Sequence, residues 1–254
     1  MADVMVSIRD VHKTFDMPEG MLEVLDGVSL DVAPEEFVCL LGYSGCGKTT
    51  LLRLVAGLEP VDAGEIYIDG ALHERPGKDA LLLFQDFNQL FPWRTVLKNV
   101  MYPMLATKTC GREASKQQAE ALLESVGLAE FKNSYPHQLS GGMKQRAAVA
   151  RALALKPKVL LMDEPFAALD AVTRSHLQDL TRQICSEHHV TVLFVTHSVE
   201  EAVLLGDRIV VMNNRTHGID HIIENASHGG TDKESRARLT TKIFEILDSQ
   251  LDET

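Results

Sequence analysis

Apolar residues along this chain follow two rhythms. Unbroken runs at Phe37 to Leu41, Val159 to Met162 and Thr191 to Val195 have the length of strands buried on both faces of a sheet. Val4 to Ile8, Val28 to Val32, Ile66 to Ile68 and Arg208 to Met212 are further β-type stretches, and the third closes on the turn pair Asp69-Gly70. Thr49 to Leu58, Arg112 to Val126 and Met143 to Leu155 instead carry apolar residues at helical spacing among strong helix formers. Strands alternating with helices predict an α/β domain around a mainly parallel sheet with covered faces. From about residue 87 to 156 the helical rhythm takes over. The expected organisation is an α/β core formed by residues 1–86 and 157–213, an inserted α-helical subdomain over 87–156, and a tail over 214–254.

The tail turns polar after Asn213-Asn214, with Gly229-Gly230 as a break. Thr231 with Glu234 makes a capping-box pattern. Leu239, Ile243, Leu247 and Leu251 then recur at four-residue steps, with Phe244 and Ile246 beside them. The pattern predicts a terminal amphipathic helix that packs on the core or on a partner. There are no internal repeats, so the sequence reads as one unit.

Composition narrows the class without naming it. A chain of 254 residues with 45% hydrophobic and 24% charged residues can bury a large core. The net charge of −11 argues against broad binding to nucleic acid or to an anionic membrane surface. The longest apolar runs fall far short of the roughly 20 residues that span a bilayer, and the amino terminus has no signal-peptide core. The expectation is a cytosolic protein. Cys39, Cys46, Cys110 and Cys185 lack CxxC pairing and read as free thiols. Histidines 188, 189, 217, 221 and 228 fit no metal-ligand spacing and read as surface residues.

Chemistry concentrates at the ends of the apolar strands. The loop GYSGCGKTT, residues 42–50, matches the P-loop pattern between a buried strand and a helix. Its glycines, Gly42, Gly45 and Gly47, let backbone N–H groups of Ser44, Cys46 and their neighbours wrap a phosphate chain. Lys48 supplies a point charge to the β- and γ-phosphates, Thr49 a hydroxyl ligand for Mg²⁺, and Thr50 continues into the helix. Asp163 ends the run Val159 to Met162 and suits Mg²⁺, while Glu164 follows as a candidate general base. His197 closes another strand at the same sheet edge, and Gln85 ends the run Leu81 to Phe84. Alone, either would more often be structural; around one phosphate they form a positioning set. Ser140, Gly141 and Gly142, in LSGGMKQR, leave a hydroxyl and N–H groups open at a helix amino terminus, a second phosphate-binding surface. One nucleotide site does not need both surfaces. Two chains facing head to tail would use both, so the sequence itself points to a dimer.

In the order of these elements the chain strongly resembles the nucleotide-binding subunits of ABC transporters, over about residues 4–213. The resemblance rests on the P-loop, the Gln85 loop, the Leu139–Met143 signature, the Asp163-Glu164 pair, the Ala168-Leu169-Asp170 loop and His197. It implies a P-loop NTPase core of RecA type, with MgATP as the ligand. Thr49, Gln85 and Asp163 fall at the metal, Glu164, His197 and Gln85 at the reaction, and Phe15 at the aromatic position beside the adenine ring. LFPWRTVLKNV, residues 90–100, YPHQLSGGMKQR and LLMDEPFAALDAVTR look like the ATPase subunits of nitrate, sulfonate and taurine importers. That implies a homodimer on the inner face of the cell membrane, bound to transmembrane permease subunits and served by an extracytoplasmic substrate-binding protein. Phe91 and Trp93 would meet the permease or fill the lobe's own core. Ala168 departs from the family's usual Ser, and the tail lacks an Arg-Pro-Gly-type turn. The alternative, a soluble ABC-type ATPase of DNA repair or translation, usually carries two cassettes or a coiled-coil insertion, and this chain has neither. A catalytically idle cassette would not need Lys48, Asp163, Glu164 and His197 together.

Overall fold

A computed structural model describes residues 3–18, 20–86, 89–167, 169–226 and 233–252, without the side chains of the last two. Ala168, His228, Gly229, Gly230, Thr231 and the side chain of Leu251, named above, lie outside this set. The continuous apolar runs become central strands. β3 (Phe37–Leu41), β7 (Val159–Asp163) and β8 (Thr191–Thr196) lie in a six-stranded sheet with β6 (Ala80–Leu83), β9 (Arg208–Asn213) and β10 (Gly218–Glu224). The order is β10-β9-β3-β8-β7-β6, parallel throughout except that β10 runs antiparallel to β9.

β3 needs no alternation because both faces are covered. Phe37, Cys39 and Leu41 enter one core cluster, and Val38 and Leu40 enter the other. A second sheet, wholly antiparallel in the order β2-β1-β4-β5, joins β1 (Val6–Met17), β2 (Gly20–Val32), β4 (Ala63–Ile68) and β5 (Ala71–Leu72). The expectation of a mainly parallel sheet holds for the first sheet and missed the second. β1 and β2 also run well beyond the predicted Val4–Ile8 and Val28–Val32. Their extensions carry polar residues that a long two-stranded ribbon leaves exposed.

α1 (Lys48–Val55) follows the loop after β3 and buries Leu51, Leu52, Leu54 and Val55 in the second cluster. Between β6 and β7 come α2 (Val96–Ala106), α3 (Arg112–Ser125) and α4 (Gly141–Leu153). Capping decides the starts of α2 and α4, where Thr95 and Ser140 accept from Lys98 N and Met143 N. α5 (Ala171–Glu187) opens on Asp170 and α6 (Val199–Leu205) on Ser198. The tail is less irregular than its composition suggested. Its first part pairs as the edge strand β10, whose Asp220 and His221 face solvent. Its end forms α7 (Lys233–Asp252), which buries Ile243 and Leu247 in the first cluster. Two buried aliphatic side chains contribute about 1.5–3 kcal/mol each, enough to hold a helix whose other face is polar.

Candidate functional site

The loop after β3 turns at glycines for reasons that can be measured. Gly47, the N-cap of α1, has φ +93°, and a Cβ there would meet Leu25 Cδ2 at 2.6 Å and Val24 O at 2.9 Å. No L side chain satisfies both the conformation and the close approach of β2. Lys48, buried to 6% exposure, folds back and donates to Gly42 O and Tyr43 O, both at 2.8 Å, with Cys46 Sγ at 3.5 Å. The ammonium therefore sits inside the loop and beside the amino terminus of α1, where an anion is favoured.

The loop floors a cleft of about 550 Å³. Ser44, Gly45, Gly47, Lys48, Thr49 and Thr50 line it from below, Phe15, Met17, Leu22 and Val24 from the β1–β2 ribbon, and Glu164 from across. Gly42 and the buried Cys46 belong to the loop but are not on the cleft wall. Thr49 Oγ1 donates to Asp163 Oδ1 at 2.9 Å. Burial raises the Asp163 carboxyl above the usual carboxylate range and the Glu164 charge adds to this, while the Thr49 hydrogen bond opposes it.

Glu164 has φ +44°, a left-handed conformation that costs a non-glycine residue roughly 1–2 kcal/mol. Its own N–H, donating to Val195 O at 3.0 Å, holds it there. Gln85 Nε2 stands 3.5 Å from Glu164 Oε2, and His197 Nδ1 stands 3.2 Å from the same oxygen. Sheet order explains the convergence. β6 and β8 flank β7 in parallel, so the residues just past their carboxyl ends arrive on either side of Glu164.

Ser140, Gly141 and Gly142 are not brought to this cleft. They begin α4, and Ser140 and Gly142 line a separate cavity of about 490 Å³ with Met143, Arg146, Thr173 and His176. One supporting residue left no trace in the sequence pattern. Asp62 accepts from Lys13 Nζ at 2.7 Å, Thr14 N at 2.7 Å and Thr14 Oγ1 at 2.9 Å, fixing the two residues before Phe15. The Lys13 hydrogen bond, with the Thr14 N–H behind it, holds the Asp62 carboxyl down at about 2.

The residues fit a small divalent cation. A hydroxyl and a carboxylate are hard oxygen donors, and a carboxyl raised by burial and by a neighbouring charge is one that a cation would relieve. Among the described residues no group of three or more His, Cys, Asp or Glu side chains could hold a metal alone. A cation here would complete its shell with substrate oxygens and water, the habit of Mg²⁺.

Comparison with known proteins agrees with this geometry. Residues 25–167 match the model of the ABC transporter family. The chain is 45% identical over 216 residues to the nitrate import ATP-binding protein NrtC of Synechococcus elongatus, covering 83% of this chain and 32% of that protein. It is 46% identical over 214 residues to the bicarbonate transport ATP-binding protein CmpC of the same species, covering 82% and 32%. The chain thus spans about a third of the length of these two relatives. An uncharacterized ABC transporter ATP-binding protein of Methanocaldococcus jannaschii is 45% identical over 221 residues, covering 87% and 82%. Among solved structures, the ATP-binding cassette MJ0796, dimeric and bound to ADP and Pi, superposes with a TM-score of 0.76 at 33% identity, covering 87% and 98%. No helix among the described residues is long and apolar enough to cross a membrane. With the P-loop cleft and the strand-end carboxylates in place, this chain belongs to the ABC transporter family as an ATP-binding cassette.

Proposed function

We propose that the chain hydrolyses MgATP as one half of a head-to-tail homodimer that drives a separate permease. The observation that carries this reading is the meeting of Gln85 and His197 on one oxygen of Glu164, at the mouth of the cleft that Lys48 and Phe15 line. Phe15 stacks on the base, backed by Met17 and Leu22, and the loop N–H groups and Lys48 hold the phosphate chain. Thr49 and Asp163, with Gln85, would hold Mg²⁺, which would supply positive charge against the phosphate chain. Because both neighbours of Glu164 fall on Oε2, Oε1 remains an acceptor for water, and Glu164 orients that water and takes its proton. His197, with Nδ1 toward Glu164, keeps Nε2 on the far side of the ring for a phosphate oxygen.

Ser140, Gly141 and Gly142 cover the nucleotide of the partner chain, which accounts for their distance from the cleft of their own. The core over 1–86 and 157–213, the helical subdomain over 87–156 and the tail over 214–254 then have separate tasks. Trp93, 71% exposed, lies with its ring tilted 34° to that of Phe91 at 5.4 Å, and Phe91 in turn meets the exposed Tyr102 edge-on at 4.8 Å. Arg94 and Arg151 lie over the Phe91 ring and brace it. A rigid, exposed aromatic of this kind suits an anchor for a permease segment.

The cassette works on the cytoplasmic face of the membrane, with permease subunits and an extracytoplasmic binding protein in the same system. The cargo is nitrate, a sulfonate, taurine or a similar small anion or metabolite, a reading that relatives named for nitrate and bicarbonate support. Glu164→Gln tests the reading. It retains ATP binding, loses about 10²–10⁴-fold in hydrolysis, and accumulates as an ATP-bound dimer in sizing with light scattering. Affinity capture of the same variant from native membranes with ATP returns a multi-span permease; hydrolysis at the normal rate, or capture of soluble partners alone, overturns the proposal.

A further inference from the structure

Glu201 is a buried carboxylate that the reaction as described does not use. It lies on α6 at 8% exposure, four residues past His197. Its Oε1 accepts from Gln178 Nε2 of α5 at 2.8 Å, and its Oε2 accepts from Thr196 Oγ1 at 2.5 Å. Thr196, the last residue of β8, uses the same hydroxyl oxygen to accept from Ser198 N at 3.0 Å. Ser198 Oγ in turn accepts from Glu201 N at 3.1 Å. Thr196 is therefore held by the Glu201 carboxylate, and Ser198 by the Thr196 hydroxyl and the Glu201 backbone N–H, its own hydroxyl donating to Glu200 Oε2 at 3.0 Å. The His197 side chain itself is 63% exposed. An imidazole that free of packing takes its direction from the backbone that carries it.

Helix capping alone does not explain the arrangement. In an ordinary capping box the Glu at the third helical position returns to the N–H of the N-cap residue at the surface. Here the N-cap N–H goes to Thr196, and the carboxylate reaches one link further back, onto the strand, in a dry position against α5. Burying a carboxylate costs several kcal/mol unless each oxygen is partnered. The partners chosen are the two that close the His197 turn and tie it to α5.

We propose that Glu201 is a positioning residue for His197, aiming the imidazole at Glu164 through Thr196 and Ser198 and anchoring the turn to α5 through Gln178. The proposal rests on the reading that His197 serves hydrolysis. The test compares His197→Ala, Glu201→Ala, Glu201→Gln, Thr196→Val and the double variant His197→Ala/Glu201→Ala in the purified chain, by kcat, KM for ATP and thermal unfolding. Glu201→Ala lowers kcat by about 10–100-fold, the scale of an angstrom-sized misplacement, with KM changed by no more than about 2-fold. Glu201→Gln recovers most of the rate, because its amide still accepts from Thr196 and donates to the Gln178 carbonyl once that amide turns over. The double variant is no slower than His197→Ala alone, since residues acting as a unit are not additive.

If Glu201→Ala does not fold, Thr196→Val answers the same question, removing the hydroxyl at the centre of the lock while keeping the shape. Losses that multiply in the double variant, or a Glu201→Ala protein whose loss appears in KM and melting temperature rather than in kcat, overturn the positioning role. A His197→Ala protein that hydrolyses ATP at the normal rate overturns the reading of His197 itself. In the former results His197→Ala is impaired and Glu201 is uncoupled from it, so the two failures are told apart.

Discussion

Gly142→Ala adds one methyl group where α4 crosses α5. Gly142 is helical, so its backbone accepts alanine without strain; space decides the outcome. A Cβ at this position would lie 2.6 Å from Thr173 Cγ2 and 3.4 Å from Leu177 Cδ1. Carbon atoms rest at about 3.5–4.0 Å, so the Thr173 methyl, or the helix that carries it, must give way by roughly 1 Å. Overpacking of that size costs about 1–3 kcal/mol, and the better helix propensity of alanine returns less than about 1 kcal/mol at the second position of a helix. A net loss of about 1–2 kcal/mol lowers the melting temperature of a chain this long by about 2–8 °C.

Differential scanning calorimetry of a double-mutant cycle with Thr173→Ser checks the cause. Serine deletes the Cγ2 that clashes and keeps both the hydroxyl and the N–H that donates to Asp170 Oδ1 at 3.0 Å. Most of the loss disappears in the Thr173→Ser background, a coupling of about 1 kcal/mol or more. An equal loss in both backgrounds would falsify the steric account.

Three other outcomes follow from the geometry of the cleft. Lys48→Ala removes a charged donor from the phosphate position, and ATP affinity falls by about 10–150-fold in a fluorescent-nucleotide titration; an unchanged dissociation constant counts against the loop as the phosphate cradle. Phe15→Ala weakens ATP by about 5–150-fold through lost stacking and leaves tripolyphosphate unaffected as a competitor, whereas equal weakening of both would place the ring elsewhere. The Asp62 carboxyl titrates lower in the folded chain than its ordinary value, so its contact with Lys13 and Thr14 stabilises the fold above about pH 4 and fades as pH falls toward about 2. Urea midpoints of the native chain and Asp62→Asn therefore differ fully at pH 6 and converge below about pH 4, and a gap that widens on acidification rejects the assignment.

The parts of this molecule written in local sequence were legible. β3 matches its apolar run at both ends, and β7 and β8 each extend the prediction by one residue, because a strand covered on both faces admits no polar interruption. The P-loop, the Asp163-Glu164 step and the α7 stripe were readable for the same reason. β10 was not, since an edge strand with exposed Asp220 and His221 has the composition of a turn. α2 and α5 also went unnoticed, their narrow buried stripes being interrupted by polar residues such as Asn99 and Gln178 that are buried through hydrogen bonds. At the site, Gln85 and His197 were visible as strand ends, yet their meeting on one oxygen depends on the sheet order. Asp62 meets Thr14, 48 positions away, and Glu201 meets Gln178, 23 positions away, contacts that no spacing encodes.

The left-handed turn at Glu164 has an evolutionary consequence. Along a strand, neighbouring side chains point to opposite faces; the turn that ends β7 lets Asp163 reach Thr49 while Glu164 reaches the cleft. Glycine or asparagine would occupy that backbone more comfortably than glutamate. Stability and chemistry therefore select different amino acids at this one position. A library of position-164 variants sorted for heat resistance alone should drift toward Gly or Asn, and one sorted for ATP turnover should return to Glu. If Glu164 takes the proton as proposed, glutamate at this position is held by turnover against a standing pull from the fold.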